Sequence, residues 1–134
     1  MRKKLPDTIK HPETFLRGMG EDFDGVFDWS WTAECWPNPR DKPMDIDGFK
    51  ERRGHCLFFE TKDPGVDPPL GQMIGLKSLW EKPDCSVMLI WGKLEPLYGQ
   101  FWFENSSAIE YWEGRDHAVD LVRRWYQHAN GGKT

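Results

Sequence analysis

The stretch His55-Cys56-Leu57-Phe58-Phe59-Glu60-Thr61-Lys62 decides the fold of this chain. It is an apolar run that ends in charged residues and follows a turn signal at Arg53-Gly54, a pattern typical of a β-strand. Residues 44–51, on the other side of the same turn, have the composition of a second strand. The two segments together predict a β-hairpin.

The residues after the hairpin predict a helix, two strands and a final helix. Asp63-Pro64-Gly65 breaks the second strand, and the spacing of apolar residues over 70–80 suits a helix. Residues 85–92 form a continuous apolar run of the kind that parallel sheets bury on both faces. Residues 98–103 predict an edge strand and 115–128 an amphipathic helix. This order predicts an α/β or α+β fold with a mixed sheet.

The first 40 residues predict an irregular N-terminal extension, because prolines and glycines interrupt them repeatedly. A short helix over 13–17 fits between these breakers. The alternation of apolar and polar residues over 27–32 predicts a half-buried strand or an aromatic flap. At 134 residues the chain fits one domain.

Composition limits the possible functions. The formal net charge of −4 argues against coating nucleic acid through a broad basic surface. Eight tryptophans and eight phenylalanines predict an aromatic core. With no apolar stretch of membrane-spanning length and no apolar leader, a soluble cytoplasmic protein is expected. The three cysteines are widely spaced, which predicts buried reduced thiols. The histidines, His11, His55, His117 and His128, show no metal-ligand spacing, so no zinc site is predicted.

The hairpin should bring acidic and basic side chains together. Side chains alternate along a strand, so Glu60 and Lys62 share one face, as do Asp45 and Asp47 on the neighbouring strand. Facing strands lie about 5 Å apart, close enough for carboxylates from both to hold one Mg²⁺ ion. An exposed ion pair between Glu60 and Lys62, beside a solvated strand face, is the alternative that the residues leave open.

Three groups of residues resemble the motif of the PD-(D/E)XK nuclease superfamily. They are Pro43-Met44-Asp45-Ile46-Asp47-Gly48, residues 54–62 with Glu60-Thr61-Lys62 at their end, and Gly71-Gln72. They look like the family's strand aspartate, its apolar strand ending in E-x-K, and the glutamine that begins the next helix. The resemblance covers residues 43–92, which would then be the catalytic core, and these residues look like those of short phage- or prophage-encoded members. It implies a restriction-endonuclease-like mixed sheet flanked by helices.

The resemblance also implies an activity, the endonucleolytic hydrolysis of DNA phosphodiester bonds with Mg²⁺ or Mn²⁺, with Gln72 in the catalytic set. Asp47, Glu60 and the Thr61 carbonyl would bind the metal, and Lys62 would act on the attacking water. Asp47 sits at the spacing of the metal-binding aspartate in similar Holliday-junction resolvases, and Asp45 is the alternative ligand. The family's Pro-Asp dipeptide is absent, since Met44 separates Pro43 from Asp45. For the glutamate that many relatives place on an earlier helix, Glu21 and Glu34 are both candidates.

Several basic side chains could contact DNA phosphates, although a solvated helix face explains them equally well. They are Lys77, Arg115, Arg123, Arg124 and Lys133. Similar nucleases often form dimers, so a homodimer is compatible with the resemblance. Two other functions stay open: a nuclease-fold module that binds DNA or a protein without turnover, and a phage-related accessory protein.

Overall fold

The computed structural model describes residues 28–38, 40 and 43–131. The chain divides after Pro43 into two compact units. The prediction of a single domain stays a prediction. The helix expected over 13–17 lies outside the described residues.

The described part of the first unit contains one 3-10 helix, Ser30–Cys35, so the strand alternative for residues 27–32 is wrong. Local hydrogen bonds explain the helix. The backbone N–H of Ser30 donates to Asp28 Oδ1 at 2.9 Å, and Thr32 Oγ1 donates to the carbonyl of Trp29 at 2.7 Å. Side chains that bond to nearby backbone in this way favour turns over a sheet.

The second unit is a five-stranded mixed sheet flanked by two α-helices, which confirms the predicted fold class. The strands are β1 (Gly48–Arg52), β2 (His55–Lys62), β3 (Cys85–Trp91), β4 (Tyr98–Trp102) and β5 (Ile109–Glu113), and they follow that order across the sheet. The helices are α1 (Leu70–Trp80) and α2 (Arg115–Ala129). Strands β2 and β3 are parallel, and α1 forms the crossover between them. The other neighbouring strands pair antiparallel.

The predicted hairpin is confirmed, with a two-residue turn at Arg53 and Gly54. Both turn residues have positive φ, 51° and 85°, as a type I′ turn requires. The first strand is shorter than predicted, because it begins at Gly48. Asp45 and Asp47 therefore lie in the segment that leads into β1, not within the strand.

Strand β4 is an interior strand, so the prediction that residues 98–103 form an edge is wrong. The edge is β5, which pairs with β4 from Trp102↔Ile109 to Tyr98↔Glu113. The sequence signal for β5 was weak. Trp112 is its only buried residue, so its apolar period is too sparse to recognise.

Two hydrophobic clusters hold the sheet between the helices. Leu57, Met88, Phe101 and Trp112 pack against Leu121 and Trp125 of α2, and Val87, Leu89 and Trp102 pack against Leu76 of α1. The predicted aromatic core is confirmed, since Trp102 and Trp125 are each 1 % exposed. Because side chains alternate, Glu60 and Lys62 lie on the α1 face of the sheet and Leu57 and Phe59 on the α2 face.

Neither of the two described α-helices combines the length and the apolar character that crossing a bilayer requires. The three cysteines are free thiols. Cys35 is exposed and Cys56 and Cys85 are half-buried, so the prediction that all three are buried is wrong.

Candidate active site

Glu60 is the centre of the predicted site, and it is a buried carboxylate. Its side chain sits at the end of β2 beneath the first turn of α1, and the residue is only 3 % exposed. Oε1 accepts a 2.6 Å hydrogen bond from Gln72 Nε2 and lies 3.3 Å from Lys62 Nζ. Oε2 is buried and has no hydrogen-bond partner among the described residues. One carboxylate oxygen therefore has two donors and the other has none.

The environment of Glu60 disfavours its ionised form. Burial is the largest cause that raises the pKa of Glu60, and the nearby carboxylate of Asp47 raises it further, while Lys62 lowers it. A buried acceptor beside a second carboxylate is an arrangement that a cation would relieve. The Oε1 atom of Gln72 is also buried without a hydrogen-bond partner in the described part of the chain.

Asp47 lies against the end of β2, as the sequence predicted. Its Oδ2 atom accepts hydrogen bonds from the backbone N–H of Thr61 at 2.8 Å and from Thr61 Oγ1 at 3.0 Å. The N–H and C=O groups of one strand residue point to the same side. The carbonyl of Thr61 therefore points towards the side of Asp47.

Asp45 is an exposed residue two positions before Asp47. Its neighbour Met44 lies against α1, since the Met44 sulfur would be 2.8 Å from a Cβ atom placed on Gly75. This contact places Met44 on the α1 side of the sheet. Of the two glutamates considered upstream, Glu34 is exposed in the 3-10 helix of the first unit, and Glu21 lies outside the described residues.

An aromatic surface adjoins Lys62 on the same face of the sheet. It consists of Trp91, Tyr98 and Tyr111. Trp91 is the partner of Lys62 in the β2–β3 pairing, and its ring stacks on Tyr98 with centroids 5.6 Å apart and an interplanar angle of 7°. Tyr111 lies opposite Gln100 on β5 and is 71 % exposed. The surface thus extends from the catalytic lysine predicted on β2 to the far edge of the sheet.

Two members of this surface also hold the linker between β2 and α1. Trp91 Nε1 donates to the Val66 carbonyl at 2.7 Å, and the N–H of Gly65 donates to the Tyr98 hydroxyl at 2.9 Å. Since the linker joins Lys62 to the helix of Gln72, these bonds help to fix the geometry of the site.

The structure does not bring the predicted phosphate-binding arginines to this site. Arg123 and Arg124 lie on α2, which covers the other face of the sheet, and Arg124 forms ion pairs with Glu110 at 3.0 Å and Asp120 at 3.1 Å. Lys77 is exposed on α1, on the same face as Glu60. Arg115, at the start of α2, lies near the end of the sheet that carries Lys62, because Glu113 pairs with Tyr98 and Tyr98 with Trp91. Lys133 lies outside the described residues.

A second cluster, of possible metal ligands, was not predicted from the sequence. His55, Glu104 and His128 present ligand atoms within 4.8 Å of one another and could hold a metal ion. They belong to the start of β2, the loop after β4 and the last turn of α2. Because they are far apart in the sequence, they form no local motif from which the cluster could be predicted. His117 instead pairs with Glu110 at 3.1 Å, and His11 lies outside the described residues.

The two clusters occupy opposite ends of β2 and opposite faces of the sheet. Glu60 lies five positions after His55, which corresponds to about 16 Å along an extended strand. No protein-family model, curated protein or solved structure matches this chain.

Proposed function

We propose that this protein is a metal-dependent nuclease that hydrolyses DNA phosphodiester bonds, with Mg²⁺ or Mn²⁺ held between β2 and the segment before β1. The observation that carries the proposal is the buried Oε2 atom of Glu60, which has no hydrogen-bond partner among the described residues, next to the Asp47 carboxylate. The resemblance of the hairpin to PD-(D/E)XK nucleases agrees with it.

The donor set suits a hard divalent cation. Asp47 and Glu60 offer carboxylate oxygens, and the Thr61 carbonyl points to the same side; oxygen ligands of this kind are those that Mg²⁺ prefers. Asp45 is the alternative aspartate. A bound divalent ion would stabilise negative charge on the scissile phosphate and make hydroxide available near neutral pH.

The other residues have roles that follow from their positions. Lys62 is 20 % exposed and close to Glu60, so its ammonium group can orient the attacking water or stabilise negative charge that develops on the phosphate. Gln72 donates to Oε1 of Glu60 and so directs the free Oε2 atom towards the ion.

The aromatic surface supports an unpaired DNA strand as the substrate. Exposed aromatic rings stack on bases of any sequence, and Tyr98 and Tyr111 present such rings on the same face of the sheet as Lys62. Lys77 and Arg115 are the predicted basic residues best placed to contact phosphates, whereas Arg123 and Arg124 would reach them only if the strand passed around to α2. Whether the nuclease acts as a homodimer stays a prediction.

Cleavage assays with matched variants test the proposal. Purified protein is incubated with single-stranded, double-stranded and branched DNA in Mg²⁺, in Mn²⁺ and in EDTA. We expect cleavage with either metal, leaving a 5′-phosphate, and none in EDTA, in Glu60→Gln or in Lys62→Ala. Glu81→Gln, an exposed glutamate at the end of α1, serves as the control and should cleave at the wild-type rate.

The binding-module alternative makes a different prediction. A protein without turnover would bind DNA or a protein partner with the same affinity whether residue 60 is Glu or Gln. If the wild-type protein cleaves none of the DNA forms and binds no Mn²⁺, the nuclease proposal is excluded.

A further inference from the structure

The cluster of His55, Glu104 and His128 contains a fully buried carboxylate. The Glu104 side chain is 0 % exposed, and its ion-pair partners within 4 Å, among the residues that the structure describes, are histidines alone. A buried carboxylate requires a compensating positive charge or a full set of donors. A metal ion bound by the two imidazoles beside this carboxylate would supply that charge.

Both imidazoles direct a nitrogen to the same carboxylate oxygen. His55 Nδ1 lies 2.5 Å from Glu104 Oε2, and His128 Nε2 lies 3.5 Å from it. The rings themselves are held by aromatic contacts, with centroids 5.4 Å apart between His55 and His128 and 5.0 Å apart between Phe103 and His128. The three ligand atoms therefore surround one point.

The other carboxylate oxygen is fixed from behind. Glu104 Oε1 accepts hydrogen bonds from Trp125 Nε1 at 3.0 Å and from Ser86 Oγ at 3.3 Å. The backbone N–H of Glu104 in turn donates to Ser86 Oγ at 3.0 Å. Outer hydrogen bonds of this kind orient a metal-binding carboxylate and leave its second oxygen for the ion.

We propose that His55 Nδ1, Glu104 Oε2 and His128 Nε2 bind a Zn²⁺ ion, which joins the start of β2, the loop after β4 and the end of α2. Two imidazole nitrogens with one carboxylate oxygen form a donor set that Zn²⁺ accepts and Mg²⁺ disfavours. A tetrahedral ion with bonds of 2.0–2.1 Å separates its ligand atoms by about 3.4 Å. The distance from His128 to Glu104 already fits, and the distance from His55 to Glu104 must lengthen by about 1 Å.

The fourth position of this site opens to solvent. The His128 side chain is 43 % exposed, so a water molecule can complete the tetrahedron. The exposed Asp84 carboxylate, 3.8 Å from His55 Nδ1, lies at the same opening and can accept a hydrogen bond from that water. The zinc site is independent of the proposed nuclease site, which lies on the other face of the sheet.

Binding of Co²⁺ and Zn²⁺ to metal-free protein tests the proposal. Wild-type protein should bind one Co²⁺ with the intense visible absorption of four-coordinate cobalt, should lose that absorption to Zn²⁺, and should unfold at a higher temperature with Zn²⁺. His128→Ala and Glu104→Gln should each weaken Co²⁺ binding at least tenfold. His128 is not one of the buried core residues, so its replacement should leave the core intact.

His117→Ala is the matched control, because His117 lies on the same helix and also pairs with a single carboxylate. It should bind Co²⁺ like the wild type, and so should Glu60→Gln, which separates this proposal from the nuclease. Absence of four-coordinate Co²⁺ absorption in the wild type would overturn the zinc site, as would equal losses in His117→Ala and His128→Ala.

Discussion

Gln72, in the first turn of α1, donates a 2.6 Å hydrogen bond from Nε2 to Oε1 of Glu60 on β2. The two residues are twelve positions apart and belong to different elements of the crossover. Because a carboxylate only accepts hydrogen bonds, the bond fixes the orientation of both side chains, and it leaves Glu60 Oε2 and Gln72 Oε1 without partners among the described residues. This one contact joins the helix to the proposed metal site.

Replacing Gln72 by Leu should weaken metal binding without unfolding the protein. The substitution removes the donor that orients Glu60, and changes of this kind lower metal affinity roughly tenfold to a hundredfold. Titration with Mn²⁺ measures the effect. Lys77→Ala, at an exposed position of the same helix, is the control; equal affinities in Gln72→Leu and the wild type would show that the glutamine does not position Glu60.

The two aspartates before β1 should differ in importance. Asp47 accepts two hydrogen bonds from Thr61 and lies near Glu60, whereas Asp45 is two residues further from β1. We expect Asp47→Asn to abolish Mn²⁺-supported cleavage and Asp45→Asn to retain most of it. The reverse order of the two rates would make Asp45 the metal ligand.

The stability of the metal-free protein should fall as pH rises, through the titration of Glu60. Burial first and Asp47 second raise the pKa of Glu60, so from about pH 4 upward the folded protein keeps a proton that the unfolded chain has lost. The free energy of unfolding therefore decreases through this window until pH passes the raised pKa. The Glu60→Gln variant lacks this titrating carboxyl group, so its free energy of unfolding should not show the decrease that Glu60 causes.

Urea unfolding in EDTA at several pH values provides the measurement. The free energy of unfolding of the wild type, relative to that of Glu60→Gln, should decline as pH rises from about 4 and then level off. Parallel curves for the two proteins would mean that the ionised carboxylate is as well accommodated in the fold as in water.

Tyr111→Ala should weaken binding of single-stranded DNA. The ring is 71 % exposed on the face of the sheet that carries Lys62, and stacking of one base on an aromatic ring contributes about 1–3 kcal/mol. Fluorescence anisotropy with a labelled oligonucleotide, in Ca²⁺ to prevent cleavage, would report the loss. Tyr126→Ala, at an exposed tyrosine of α2 on the other face, should bind normally; a loss in Tyr126→Ala alone would place the DNA on that face instead.

Gly99→Ala should unfold the protein or destabilise it by more than about 3 kcal/mol. A Cβ atom on Gly99 would lie 1.9 Å from the Leu89 carbonyl oxygen and 2.6 Å from the Trp112 ring, in the middle of the sheet. Gly71→Ala is the matched control, because nothing lies within 4 Å of a Cβ atom at that position of α1. Thermal unfolding compares the two; similar midpoints would contradict the close approach of β3 and β4.

The sequence by itself determined the elements whose signals are local. The apolar run of 55–62, the Arg53-Gly54 turn and the helical spacing of 70–80 predicted the hairpin and α1, because strand alternation and turn conformation depend on neighbouring residues alone. The same alternation placed Glu60 and Lys62 on one face. The choice of Asp47 over Asp45 came from the resemblance to PD-(D/E)XK nucleases, and the structure sets the Asp47 carboxylate against Thr61.

Only the tertiary structure decided which distant residues meet. Strand β5 became the edge because β4 offered it a pairing partner, although its own pattern is weak. The separation of Arg124 from Glu60 follows from the packing of α2 on the opposite face of the sheet. His55, Glu104 and His128 converge because the ends of β2, β4 and α2 meet at one end of the sheet, and that meeting arises from strand pairing and helix packing, which no spacing along the chain encodes.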